Sequence, residues 1–181
     1  MNKKVLGVAV TLLLAAMFVA PAMAAPATKI EGVTMVVSPG GPVPYDGYPR
    51  WVSDGTISHS RGTNPPGMTV TITIPNPQDP ENPTVLSGDY YSDWVANANW
   101  KKDPVEVVIM SKLTLTFGDD TFEGVVQRTI TGNPFLPTSP VEDHIVLRGT
   151  GAFQGQTLKL SCAGIPAEGP MVAEGYIIMP K

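Results

Sequence analysis

Histidines and paired acids are the residue types from which most protein chemistry is built, and this chain spaces few of them usefully. Its two histidines are His59 and His144. Glu142-Asp143-His144 sets two acids beside one imidazole, the makings of a metal site or an acid–base pair. Adjacent residues of a strand point to opposite faces, however, so Asp143 and His144 should not share a ligand position. The run reads as the solvated start of a strand. His59 has Arg61 on its own strand face, a poor neighbourhood for a cation. Asp119-Asp120 carries oxygens suited to calcium, but one turn supplies too few of them, and aspartate in a turn is ordinary turn chemistry. Asp79, Glu81 and Asn82, set among prolines, read the same way. No Gly-x-Ser-x-Gly elbow, phosphate loop or zinc-protease signature is present. The residues nominate no catalytic group, no metal and no cofactor.

Aromatic residues offer a different chemistry. Trp51, Trp94, Trp100, Tyr90, Tyr91 and Tyr176 fall in candidate strands or at their edges. Pointed inward, they would line a pocket for an apolar or sugar-like small molecule; otherwise they fill a core. Two further residues depend on strand parity. Cys162, the single cysteine, alternates with Leu158 and Leu160 and is expected to be buried as a small apolar residue. Arg128 shares the parity of Phe122, Gly124, Val126 and Ile130, which would bury it.

The elements that must position these residues are strands. Nineteen prolines punctuate the chain, in clusters at Ser38–Arg50, Asn64–Gly67, Pro75–Pro83, Asn133–Pro140 and Gly164–Pro170. Between them lie short period-2 runs rich in Val, Ile, Thr and aromatics. The clearest are Met68–Ile74, Glu106–Phe117, His144–Arg148, Gln156–Cys162 and Met171–Met179. Thr28–Val37, Arg50–Ser60, Val85–Trp100 (with a break near Ser92) and Phe122–Thr131 complete the set. Eight or nine evenly spaced strands without helices predict an all-β domain, a single antiparallel barrel of about eight strands or a β-sandwich.

The segment Leu115–Gly124 resembles Val146–Gly155 at an offset of 31 positions. Each copy reads strand, glycine turn, x-Phe-x-Gly, strand, with Gly118, Phe122 and Gly124 in the first and Gly149, Gly151, Phe153 and Gly155 in the second. Glycine suits turns at positive φ, and the phenylalanine can pin each turn to the end of the fold. The offset pairs Arg128 with Lys159, which lies opposite Leu158 and Leu160, so Arg128 is expected to be exposed. The second copy, with Leu158-Lys-Leu160 after it, resembles the glycine hairpin of the allene oxide cyclase and dirigent superfamily, in particular exported prokaryotic proteins related to that barrel. The resemblance covers roughly residues 84–179. It implies an eight-stranded antiparallel barrel and, by analogy alone, steering of an apolar small molecule in a lumen. None of the superfamily's catalytic residues has an assignable counterpart here.

At the start of the chain, Lys3 and Lys4 precede an uncharged apolar run, Val5 to Ala20, then Pro21 and Ala22-Met23-Ala24. This is the pattern of a secretory signal peptide, with cleavage expected after Ala24. The run falls short of the ~20 residues that span a bilayer, so the mature chain is expected to carry no membrane span and to be secreted or held in the cell envelope. Residues 25–181 then form one domain. Lys3 and Lys4 leave with the signal, so ten of the twelve basic residues face sixteen acidic ones, a net charge of −6. Such a surface disfavours nucleic acid. A non-catalytic barrel binding a ligand or a surface partner is the first expectation. A cyclase-like or dirigent-like enzyme working in the lumen and a structural envelope protein are the alternatives.

Overall fold

The computed structural model describes residues 27–38, 52–53, 57–64, 67–134, 136–168 and 171–180. The expected signal peptide, Trp51 and most of the Ser38–Arg50 cluster lie outside them. Ten strands follow one another: β1 (Thr28–Ser38), β2 (Val52–Ser53), β3 (Ile57–Thr63), β4 (Thr69–Ile74), β5 (Thr84–Asn99), β6 (Glu106–Phe117), β7 (Asp120–Thr131), β8 (Val141–Gly149), β9 (Thr157–Gly164) and β10 (Val172–Met179). Two single 3-10 turns, Gly151–Phe153 and Pro166–Glu168, are the only helical pieces among the described residues.

Every pairing is antiparallel, and the order β5-β4-β1-β10-β9-β8-β7-β6 returns to β5. Eight strands therefore close a barrel, as the alternating runs led one to expect. The short strand β2 and its partner β3 extend the sheet along the second half of β5. That strand is unbroken at Ser92, contrary to expectation. It changes edge partner there instead. Thr84–Asp89 pairs with β4 and Asp93–Asn99 with β3, and the Asn64 amide donates to the Ser92 carbonyl at 2.9 Å between the two.

Registers fix how the strands are staggered. From His144, one direction runs through Ser161, Glu174, Thr34 and Thr73 to Val85. The other runs through Gln127 and Met110 to Val95. The two paths meet β5 ten residues apart, which is the stagger that closure imposes on tilted strands. A residue near position 90 therefore sits across the lumen from the β7–β8 pair around Arg128. In β1 the register slips between Glu31 and Val33. Gly32 takes φ +74° there, a glycine bulge that brings both Ile30 and Val33 to the inner face.

The lumen is packed along most of its length. Val33, Ile72, Leu115, Phe122, Leu147, Leu158 and Ile177 have no exposed surface and form one cluster with Met35, Val70, Leu113, Ile145, Leu160 and Cys162. Cys162 is buried on the face it shares with Leu158 and Leu160. One end is closed by three phenylalanines. Phe122 and Phe153 stack at 4.7 Å, with Phe117 edge-on to both at 6.4 and 5.9 Å.

The two glycine hairpins that sequence similarity relates are stitched together there. The Ala152 amide donates to Asp120 Oδ1 at 2.7 Å, the Thr150 amide to the Thr121 carbonyl at 2.9 Å, and the two threonine hydroxyls meet at 2.7 Å. Asp120 is thus a half-buried tie between hairpins, while Asp119 alone is an exposed tip. Gly118, Gly151 and Gly155 have positive φ. Gly124 and Gly149 do not; they are glycines because a Cβ would strike the carbonyls of Val146 and Phe153.

Candidate functional site

The opposite end of the barrel holds the charges. On β8, Val141, Asp143, Ile145 and Leu147 alternate inward and are buried. Across the ladder, Arg128 of β7 pairs directly with Asp143. Its Nε donates to Asp143 Oδ1 and its Nη2 to Oδ2, both at 2.8 Å. The carboxylate side chain is only 8% exposed, whereas 42% of the arginine side chain remains open to solvent. Desolvating a lone carboxylate costs several kcal/mol, and a two-pronged charged contact is the strongest local compensation available.

Both assignments differ from the sequence expectations. Arg128 faces the lumen and is not simply exposed. The repeat misled because the Gly151–Phe153 turn lifts Phe153 out of the ladder, so parity after the second turn shifts by one relative to the first. Phe122 and Arg128 share the inner face of β7, while Lys159 is outward on β9. Asp143 is buried and paired, not part of a solvated strand start. Its shared parity with Val141, Ile145 and Leu147 carried that signal in the sequence. His144 does lie outside, 3.2 Å from Glu142.

Tyr90 crosses the lumen toward this pair, with Ser92 and Asn64 against its hydroxyl. Burial, more than any neighbour, pushes its phenol above the ordinary range; Arg128 pulls it down and Asp143 pushes it up. Cys162 stands directly across the ladder from Asp143. Burial raises its thiol first, and the Asp143 charge raises it further. Arg128 is held still more firmly protonated by its hydrogen bonds to Asp143. Both weak acids of this layer are therefore neutral near neutral pH, and the one carboxylate is engaged. A nucleophile needs a lowered pKa or a free base beside it, and the layer offers neither.

Beyond the ion pair, toward the mouth, a second small core gathers. Ala96, Ala98 and Val107 are buried, with Trp94, Val105, Ile109 and Ile130 packed against them. Trp94 lies over Gly62, where a Cβ would come within 2.6 Å of the indole. Of the aromatics expected to line a pocket, Trp94 faces inward and packs against the mouth-side cluster. Tyr91 points outward and donates to Asp93 at 2.8 Å. Tyr176 is on the outer wall under the Lys29 ammonium, 3.8 Å from the ring centre. Trp100 follows β5 and donates its indole N–H to the Ser58 hydroxyl at 2.7 Å. Trp51 lies outside the described residues. The described members of the set are not all brought together. Tyr90, also among them, faces inward and packs against the main core.

Among the described residues no group of three His, Cys, Asp or Glu is arranged to hold a metal ion, and no helix is long and apolar enough to cross a membrane. His59 instead contacts the Asn97 side chain on the outer face.

Fold and site together define a closed antiparallel eight-stranded barrel with an arginine–aspartate pair facing into one mouth. No protein-family model matches the chain, and neither a curated protein nor a solved structure matches it.

Proposed function

We propose that this chain is an exported, non-catalytic barrel that binds a small ligand at the mouth where Arg128 and Asp143 face inward. The observation that carries this reading is the asymmetry of that pair: a buried carboxylate holding a guanidinium that still reaches solvent. A pair kept for stability alone gains little, because apolar residues of similar volume often serve as well or better in a buried place. Here the barrel keeps a charged donor poised between a packed core and a small apolar rim, the mixture of apolar walls and few polar groups that ligand sites use. The Val5–Ala20 run and Ala22-Met23-Ala24 support export to the cell exterior or envelope. The glycine hairpins support kinship of fold with the allene oxide cyclase and dirigent barrels.

A cyclase-like or coupling enzyme is the second reading, favoured by the convergence of Tyr90, Arg128, Asp143 and Cys162. The protonated thiol and phenol count against it. Native mass spectrometry of the exported protein purified from its own host tests the first reading: a co-purified small molecule should appear, and Arg128→Met/Asp143→Leu should lose it. A folded wild-type protein that carries no ligand and takes none up from a host extract overturns it.

A further inference from the structure

We propose that the ligand of the barrel mouth is a small organic monocarboxylate, held on the edge of Arg128 that Asp143 leaves free. This inference rests on the ligand-binding reading above and narrows it to one chemistry. A guanidinium carries five N–H donors in a planar fork. One from Nε and one from Nη2 go to Asp143. Both hydrogens of Nη1 and the second of Nη2 remain, and one from each nitrogen lies side by side on the Nη1–Nη2 edge. Among the described residues Arg128 makes no other hydrogen bond or ion pair. Asp143 is buried and 42% of the arginine side chain is open, so the arginine is the partner through which the pair meets solvent.

Two parallel donors on one planar edge match the two oxygens of a carboxylate. Charge selects among anions. Asp143 already balances Arg128, so a dianionic phosphate would add two negative charges to a pair with no net charge. A monoanion adds one and gains a charge-assisted contact. The neighbours select the rest of the molecule. Ile109 stands across the ladder from Arg128, Ile130 follows Arg128 on the same face, and both, like Trp94, pack against the mouth-side cluster. These surfaces suit an apolar body and do nothing for bicarbonate or nitrate. Tyr90 and Cys162, both held protonated, add no competing charge.

Isothermal titration of the full-length mature protein with benzoate, benzamide and inorganic phosphate tests the proposal. Benzoate should bind saturably, and benzamide and phosphate about tenfold or more weakly. Arg128→Lys keeps the charge but loses the fork and should weaken benzoate by about tenfold. Arg128→Met/Asp143→Leu removes the pair with similar volume and should abolish binding while the strand circular dichroism persists. Benzoate binding that survives in the folded double variant overturns the proposal. So does phosphate binding as tightly as benzoate, or no saturable benzoate binding to wild type. A neutral molecule co-purifying from the host, with no benzoate uptake, would sink the carboxylate assignment while leaving the binding barrel intact.

Discussion

The two ends of the barrel solve the same problem in opposite ways. At the hairpin end, Phe117, Phe122 and Phe153 pack ring against ring and leave Phe122 with no exposed surface. At the mouth, the inward positions of β7 and β8 hold Arg128 and Asp143, and the arginine stays wet. Strand β7 alone runs from one regime to the other, through Phe122, Gly124, Val126 and Arg128. Apolar burial is concentrated at the aromatic end, and the recognition proposed above falls at the charged one. The division follows from side-chain choice at fixed parity, because the backbone ladder is continuous through both.

Substitutions can break this contrast in graded steps. Phe122→Ala should have the largest effect, about 3–5 kcal/mol lost in denaturant melts, because it empties a fully buried aromatic site. Asp143→Ala should cost less, about 1–3 kcal/mol, since the freed guanidinium can turn to water at the mouth. If Asp143→Ala matches Phe122→Ala, the mouth is as closed as the plug. Phe153→Ala, from a half-buried ring, should cost about 1–2 kcal/mol. Asp120→Ala should cost about 1 kcal/mol through the lost bond to the Ala152 amide, and Asp119→Ala close to nothing.

The smallest effect concerns pH. The Tyr90 phenol and the Cys162 thiol hold their protons to higher pH in the folded protein than in the unfolded chain. Above their ordinary values of 10.0 and 9.0, the unfolded chain has released protons that the native state keeps, so rising pH favours unfolding. Melting temperature should fall progressively from about pH 9 upward, and Tyr90→Phe should flatten the part of that fall above about pH 10. A slope unchanged in Tyr90→Phe would place the alkaline sensitivity elsewhere.

The strands were legible because period-2 alternation is strong in runs such as Met68–Ile74 and Glu106–Phe117, and the barrel expectation was met. The expected break at Ser92 failed for a tertiary reason. A serine on the inner face looks like an interruption, but it marks where β5 passes from β4 to β3, which local sequence does not encode. The candidate site was half legible. The parity of Val126, Arg128 and Ile130, set beside that of Val141, Asp143 and Ile145, pointed both charges inward. For Arg128 the repeat argument overrode it, because nothing in Gly149–Gly155 announced that three residues would coil into a 3-10 turn, and Asp143 passed for the solvated start of a strand. Within the aromatic set, parity separates the adjacent Tyr90 and Tyr91 and puts Tyr90 on the inner face, and residue type alone does not say which of the two that is.

Strand β1 has an inference of its own to offer about how the molecule forms. Its partners are β4 and β10, so residues such as Thr28 and Met179 meet across nearly the whole described chain. Every other seam of the barrel joins strands much nearer in sequence, most of them hairpin neighbours, with β1–β4 the next longest. The β1–β10 seam must wait for all of them, and loop-closure entropy makes it the slowest contact to form. Until Val172–Met179 arrives, β1 and β9 each present a bare edge, the state in which a strand is most prone to pair with a neighbouring molecule. The same closure that protects the finished barrel makes its unfinished form the vulnerable one.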